Sequence, residues 1–243
     1  MRDKVEAMWV GGKALAEIKT ELQRFVKVGT SFFEIEALAQ KLIQQKGMLP
    51  SFSTVPGYDW ATCIMRNDAL CHGIPTAEKV KDGDIVSIDV GLINQGYHLD
   101  TSISFGVGTL SAKKHRFLAD SLKALNTAIA LVRPGQTVYA LSRAIETSLH
   151  QAGLGAVYQL TGHGVGKNLH EEPAIPCVAD PGDKKILLSL NQTIAVEVMS
   201  TMGRPDLTLD SDGWTYRTKD GSLSAMFEET VLVTQNGHQI LTN

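Results

Sequence analysis

Apolar positions recur along this chain with two different periods, and the change of period marks out its elements. In residues 3–28, Leu15, Ile18, Leu22 and Phe25 fall on one stripe at helical spacing. A second helix is predicted from Ser31, whose spacing to Glu34 is that of a capping box. Ile35, Leu38, Leu42 and Ile43 form its apolar face, and Gly47 stops it. Residues 50–59 are turn-rich, and 61–65 read as a strand. Two more amphipathic helices are expected, one at 111–132 stopped by Pro134-Gly135, the other from a Thr137 cap through Gln151. Beyond Gly153 the pattern turns to strands, near 157–161, 193–200, 206–210, 214–218 and 225–234, with a closing turn at Gln235-Asn236-Gly237. Helices, a hairpin, two further helices and then strands describe a mixed α/β (α+β) fold with mainly antiparallel pairing.

The hairpin, residues 84–105, reads DIVSIDVGLINQGYHLDTSISF. Its first arm is a β-branched run through Ile85, Val86, Ile88 and Val90, interrupted by Asp89. Asn94-Gln95-Gly96 offers the turn, and on the second arm Leu99, Ile103 and Phe105 flank Asp100. An ionised carboxylate in a protein interior requires an opposite charge or a metal. Lys and Arg are absent between Lys81 and Lys113, so no local cation serves, and a metal is expected. A two-residue turn centred between Asn94 and Gln95 sets Asp89 directly opposite Asp100, with Cβ atoms roughly 4.5–5.5 Å apart. A three-residue loop closed by Gly96 requires a bulge to restore that facing. In both cases the two carboxylates are expected to converge. Two exposed acids on an edge hairpin are the alternative, disfavoured by the apolar residues on both sides of Asp89.

Composition narrows the function classes. The 243 residues are 43% hydrophobic and 20% charged, as in ordinary globular proteins. A net charge of −3 provides no basic field, and DNA is not expected as a partner. The cluster Lys113-Lys114-His115-Arg116 reads as a solvated helix start, with ribosome contact a weaker reading. No apolar run approaches the ~20 residues of a membrane span, and charges occupy the N-terminal positions where a signal peptide is apolar. Cys63, Cys71 and Cys177 lack CxxC spacing, which fits a reducing compartment better than a disulfide framework or zinc ribbon. No GxGxxG follows a strand, and GHGVG at 162–166 has the wrong spacing for a P-loop.

Five further residues join the two aspartates. His72 lies in CHGIP, between a strand and a Pro turn. His163 lies in TGHGVG, whose glycines permit close backbone approach. His170 lies in HEEP, where Pro173 is expected to end the local structure. Glu197 interrupts TIAVEVM and Glu228 interrupts SAMFEETVLV, each an acid in a strand otherwise fit for burial. Any one of these is more often a satisfied turn or core residue. Together, four such acids and a glycine-flanked histidine form a carboxylate-rich, single-imidazole set. That set suits two hard or borderline divalent ions (Co, Mn, Fe(II) or Zn) better than one structural zinc.

The motifs IDVGLINQGYHLDTS, TGHGVG, HEEP, AVEVM and DGWTYRTKDGSLSAMFEET, in this order, resemble type I methionine aminopeptidase. The resemblance runs through essentially the whole chain, and the tract 212–230 is its most specific part. It implies the pita-bread fold, with two pseudo-symmetric halves around a dinuclear metal centre, in a single catalytic domain over 1–243 without the zinc-binding N-terminal extension of longer members. It implies that Asp89 chelates one metal, that Asp100 and Glu228 bridge, and that His163 and Glu197 bind the other. His72 and His170 match histidines lining the substrate. With Glu197 as general base, they make up the implied catalytic set, and a metal-held hydroxide attacks the first peptide bond. Tyr58, Cys63 and Trp214 resemble the pocket for the methionine side chain. Val198, Leu169 and Val55 depart from the residues common there, so the pocket's shape is expected to differ. The implied substrate is the initiator methionine of new proteins with a small second residue, and the implied state is a cytoplasmic monomer. Two other readings keep the fold: an X-Pro aminopeptidase or dipeptidase, and an inactive binding protein.

Overall fold

The structure, a computed structural model, describes residues 2–243. The chain begins with helices α1 (Arg2–Phe25) and α2 (Phe32–Gln45), followed by strands β1 (Leu49–Pro50), β2 (Thr62–Arg66), β3 (Ala69–Cys71), β4 (Ile85–Asn94) and β5 (Tyr97–Gly106). Helices α3 (Ala112–Ile129) and α4 (Val138–Gln151) come next. The rest is strands: β6 (Gly155–Ala156), β7 (Thr161–Gly164), β8 (Glu171–Pro176), β9 (Thr193–Thr201), β10 (Leu207–Leu209), β11 (Tyr216–Thr218), β12 (Ser224–Thr234) and β13 (Gly237–Ile240). The expected capping box forms, with the Ser31 side chain accepting from Glu34 N and the Glu34 carboxylate from Ser31 N. Thr137 caps α4 through Ala140 N. Among the described residues no helix is long and apolar enough to cross a membrane.

Two expected elements differ. Residues 157–160 are not a strand: the chain leaves β9 there, and the Gln159 side chain holds both the N–H and the carbonyl of Leu207. Pro173 does not end the local structure but lies inside β8. That strand pairs with β7 alone, and an edge strand tolerates a residue that cannot donate on its outer side.

The main sheet runs β1-β4-β5-β12-β9-β7-β8, with β2 added to β4, β6 to β9 and β13 to β12; all pairings are antiparallel. A smaller sheet, β10-β11-β3, lies beside it. Helix α1 packs on β4 and β5 with α2 against it, while α3 packs on β9 and β12 with α4 against it. The result is the pita-bread architecture of two pseudo-symmetric halves. Strand alternation feeds Ile88, Val90 and Leu92 into the core under α1 and α2, where they meet Leu15, Ile18 and Ile35. Val196 and Val198 meet Phe117, Leu125 and Leu141 under α3 and α4. The opposite face of the same strands is left for other residues.

The hairpin register differs from the expected one. Its turn is Gln95-Gly96, with φ of +50° and +75°, so Asn94 pairs with Tyr97. A type I′ turn requires left-handed backbone at both central positions, and Gly96 takes the second of them without cost. Asp89 therefore faces Ser102, and Asp100 faces Gly91. The displacement is two residues along one strand, which keeps both acids on one face as diagonal neighbours.

The halves meet where β5 runs beside β12, and direct pairing there is confined to Ser102–Glu228 and Thr101–Glu229. Beyond these pairs, hydroxyls stand in for the backbone ladder. Ser104 Oγ accepts from Met226 N and donates to Met226 O, both at 2.8 Å. Thr230 Oγ1 accepts from Asp100 N at 3.1 Å and donates to Asp100 O at 2.7 Å. Replacing Ser104 by Ala leaves both Met226 groups buried without partners, so Ser104→Ala is expected to lower stability by about 1–3 kcal/mol. Urea denaturation of the two proteins measures this, and an unchanged midpoint would mean that the seam does not depend on the hydroxyl.

Candidate metal centre

The acids are assembled by two adjacent rungs of the main sheet. Along the first, Cys63 of β2 faces Asp89, Asp89 faces Ser102, Ser102 faces Glu228 and Glu228 faces Glu197. Along the second, Gly91 faces Asp100, Thr230 is hydrogen-bonded to Asp100 and faces Ala195, and Ala195 faces His163. Residues two apart share a face, so all five candidate ligands project to the side opposite the helices. Small residues between them (Ser102, Ala195 and Gly91) leave the floor open. A Cβ on Gly91 would lie 2.7 Å from the Phe52 ring and 2.8 Å from Ser51 Cβ. A Cβ on Gly162 would lie 2.5 Å from Ala195 O, which shows how closely β7 must approach β9 to bring His163 in.

Asp100, His163 and Glu228 each offer one ligand atom, and these atoms lie within 4.8 Å of one another. His163 Nδ1 is 2.9 Å from Gly164 O; a carbonyl only accepts, so Nδ1 carries the hydrogen. Nε2 is then the lone-pair nitrogen, 3.9 Å from Asp100 Oδ2. Burial, with His170 alongside, lowers the His163 pKa to about 4, so the imidazole stays neutral as a ligand must. Asp89 Oδ1 and Asp100 Oδ1 are buried without any hydrogen-bond partner.

Burial, reinforced by neighbouring carboxylates, pushes Asp89 and Glu228 well above the usual carboxylate range. Glu197 is raised to about 8 by burial and the Asp100 charge. Burial raises Asp100 to about 7, a rise opposed by a hydrogen bond from Asp89. No Lys or Arg among the described residues forms an ion pair with any of the four. Orphaned buried carboxylate oxygens, a neutral imidazole aimed at them and an excess of negative charge are what a divalent cation would satisfy.

The acids floor a cavity of about 320 Å³, lined by the ten candidate site residues and by Val55 and Leu169, whereas Val198 points to the core under α3 and α4 and does not shape the pocket. His72, held at φ +54°, packs edge-on to Tyr216 with ring centroids 5.9 Å apart. His170 packs edge-on to His163 at 4.5 Å. Desolvation lowers the pKa of both His72 and His170. Tyr58 and Trp214 meet edge to face at 5.0 Å, and the Tyr58 hydroxyl donates to Thr62 O at 2.8 Å, with Cys63 Sγ at 3.2 Å. Burial pushes the Cys63 thiol up, so it is an apolar wall and not a nucleophile. Sequence reasoning missed Phe52, Cys71, Gln159, Leu160 and Thr161, which also line the cavity. The missing side chain of Gly91, inside an otherwise apolar strand, was a signal for the close approach of Phe52; nothing in the sequence marked Gln159.

Residues 6–235 match the model of metallopeptidase family M24. The methionine aminopeptidase of Escherichia coli (strain K12) is 35% identical over 242 residues, 99% of this chain and 91% of that protein. The chain belongs to this family. Among solved structures, methionine aminopeptidase from Thermotoga maritima superposes with a TM-score of 0.97 at 34% identity, covering 100% of this chain and 98% of that one. Prolidase from Pyrococcus furiosus has a TM-score of 0.81 at 22% identity over 64% of its own length, a likeness of fold alone. The chain is thus a metallopeptidase of the methionine aminopeptidase type, and members of an M24 metallopeptidase family bind divalent metal.

In the ion-free M24 protein the raised pKa values have a direct consequence for stability. The native acids hold protons that the unfolded chain, with carboxylate pKa values near 4, does not. Their favourable contribution is complete below about pH 4 and is lost as pH rises through about 7–8, the folded-state values of Asp100 and Glu197. Metal-stripped protein is therefore expected to lose thermal stability between about pH 6 and pH 8.5, and Glu228→Gln is expected to lose less. Scanning calorimetry in chelator measures both. Identical slopes for the two proteins would show that the acids do not set the dependence.

Proposed function

We infer that the protein is a metal-dependent aminopeptidase that removes the initiator methionine from new polypeptides whose second residue is small. The observation that carries this reading is the meeting, in one cavity, of a buried carboxylate–imidazole set with an apolar wall, in a chain of the methionine aminopeptidase type.

Two divalent ions (Co, Mn, Fe(II) or Zn) would suit the donor set: Asp89 would serve one, His163 and Glu197 the other, and Asp100 and Glu228 both. When bound, such ions acidify a water and polarise the scissile carbonyl. The remaining work falls to the chain's own residues. Glu197, at the end of the first rung, accepts a proton from the attacking water. His170, at the cavity mouth, donates a hydrogen bond to the carbonyl oxygen as negative charge develops there. His72 faces the scissile nitrogen. Tyr58, Cys63 and Trp214 enclose the methionine side chain, whose unbranched thioether conforms to an irregular apolar wall. The free α-amino group of the first residue would be held at one of the ions, which makes the activity that of an exopeptidase.

Residues 1–243 act as one catalytic unit, as a monomer in the cytoplasm. Three buried free thiols suit that reducing compartment. Lys113, His115 and Arg116 are exposed at the start of α3 and are a candidate contact with the ribosome. Co-sedimentation unchanged by charge reversal at Lys113 and Arg116 would dismiss that contact.

The test uses metal-stripped protein with the peptides Met-Ala-Ser and Ala-Pro-Ala, and Co(II) or Mn(II) added back. Free methionine is expected from the first peptide alone. Cleavage of Ala-Pro-Ala alone would assign the X-Pro activity instead, and cleavage of neither with metal bound would favour a binding protein or a different substrate. Glu197→Gln is expected to lower turnover by about 10²–10⁴-fold. His170→Ala should cost about 10²–10³-fold in kcat with KM little changed.

A further inference from the structure

Behind the acid floor, on the helix-bearing face of the sheet, lies a second ionic group, partly buried. Lys19 of α1 is 8% exposed. Its Nζ donates to Glu229 Oε1 at 2.6 Å and to Thr101 Oγ1 at 2.9 Å. Thr101 Oγ1 in turn donates to Glu228 O at 2.8 Å. The Thr242 hydroxyl bonds Glu229 Oε2 and accepts from Thr230 N at 3.0 Å.

The placement follows from strand alternation. Thr101 and Glu229 come directly after Asp100 and Glu228, so they point to the opposite face of the same two strands. They also face each other, in one of the two register pairs that join the halves. One ammonium from α1 therefore holds β5 and β12 together at the rung that spaces Asp100 from Glu228. On either side of that rung the ladder passes to the hydroxyls of Ser104 and Thr230, so few other bonds fix the spacing. A buried ion pair is weak evidence for stability, since an apolar pair of similar volume often does as well; its better-attested use is to fix register.

We propose that Lys19 is a positioning residue for the metal centre: through Glu229 and Thr101 it ties β5 to β12 from behind and sets the separation of Asp100 and Glu228. The proposal rests on the reading of those two acids as shared metal ligands. It also accounts for the partly buried Glu229 one residue from Glu228, because the ammonium offsets on the back face a charge that would add to the repulsion on the front.

The test is calorimetric titration of Co(II) into the metal-stripped protein, with visible absorption of the bound Co(II) reporting ligand geometry. It compares the parent with Lys19→Arg, Thr101→Val and the double variant Lys19→Met/Glu229→Met, whose folding is checked by circular dichroism. Thr101→Val and the double variant are expected to bind Co(II) about tenfold more weakly, with an altered spectrum. Lys19→Arg, which keeps the charge and the donors, should restore parental binding. Parental affinity and spectrum in Thr101→Val and the double variant, whatever their melting temperatures, would overturn the proposal and leave Lys19 a purely structural residue. If the double variant does not fold, Thr101→Val, which keeps the side-chain shape, decides alone. A parent that binds no Co(II) would overturn the metal-ligand reading itself, and the proposal with it.

Discussion

Four carboxylates on one face of a sheet repel one another, and burial strengthens the repulsion. Two unit charges ~4 Å apart at an effective dielectric near 20 repel by about 4 kcal/mol, and here ligand atoms of Asp100, His163 and Glu228 lie within 4.8 Å. The fold imposes this arrangement through backbone register. Ser102 stands between Asp89 and Glu228 on one rung, and Ala195 beside His163 on the next, so the acids face the cavity without side chains between them. A sheet that collects charge in this way is complete only with cations on it. Proton uptake, the alternative means of relief, is what the raised pKa values of the ion-free molecule describe.

The site also requires both halves. Asp89 and Asp100 come from the hairpin under α1; Glu197, Glu228 and His163 come from strands on the α3 side. The seam between β5 and β12 runs between Asp100 and Glu228, and it carries little regular pairing. Serine and threonine hydroxyls and the Lys19–Glu229 pair make up the difference.

Much of this was legible in the sequence because the anomaly repeats. Asp89, Glu197 and Glu228 each break an apolar strand, and a period of two places each on the face away from the core. The convergence of Asp89 and Asp100 holds although the register differs, because a shift of two residues preserves the face. What decided the register was the turn: Gly96 takes the left-handed second position, while the Asn94 side chain is occupied with Ala7 O. β8 was hidden by Pro173, whose tolerance depends on the strand lying at an edge, a property of topology. Lys and Arg are absent near the hairpin, and among the described residues none forms an ion pair with the acid floor. That absence gave no warning that Lys19 would bond Glu229, 210 residues away, on the other face. Pairings at that separation leave no periodic trace in a chain.

The central claim is that the two rungs hold divalent ions, and anomalous diffraction from crystals grown with Mn(II) tests it most directly. Two anomalous peaks are expected in contact with Asp100 and Glu228, one also touching Asp89 and the other touching His163 and Glu197. A crystal of active enzyme with no anomalous peak at these side chains, and with protons or water satisfying the acids instead, would contradict the account.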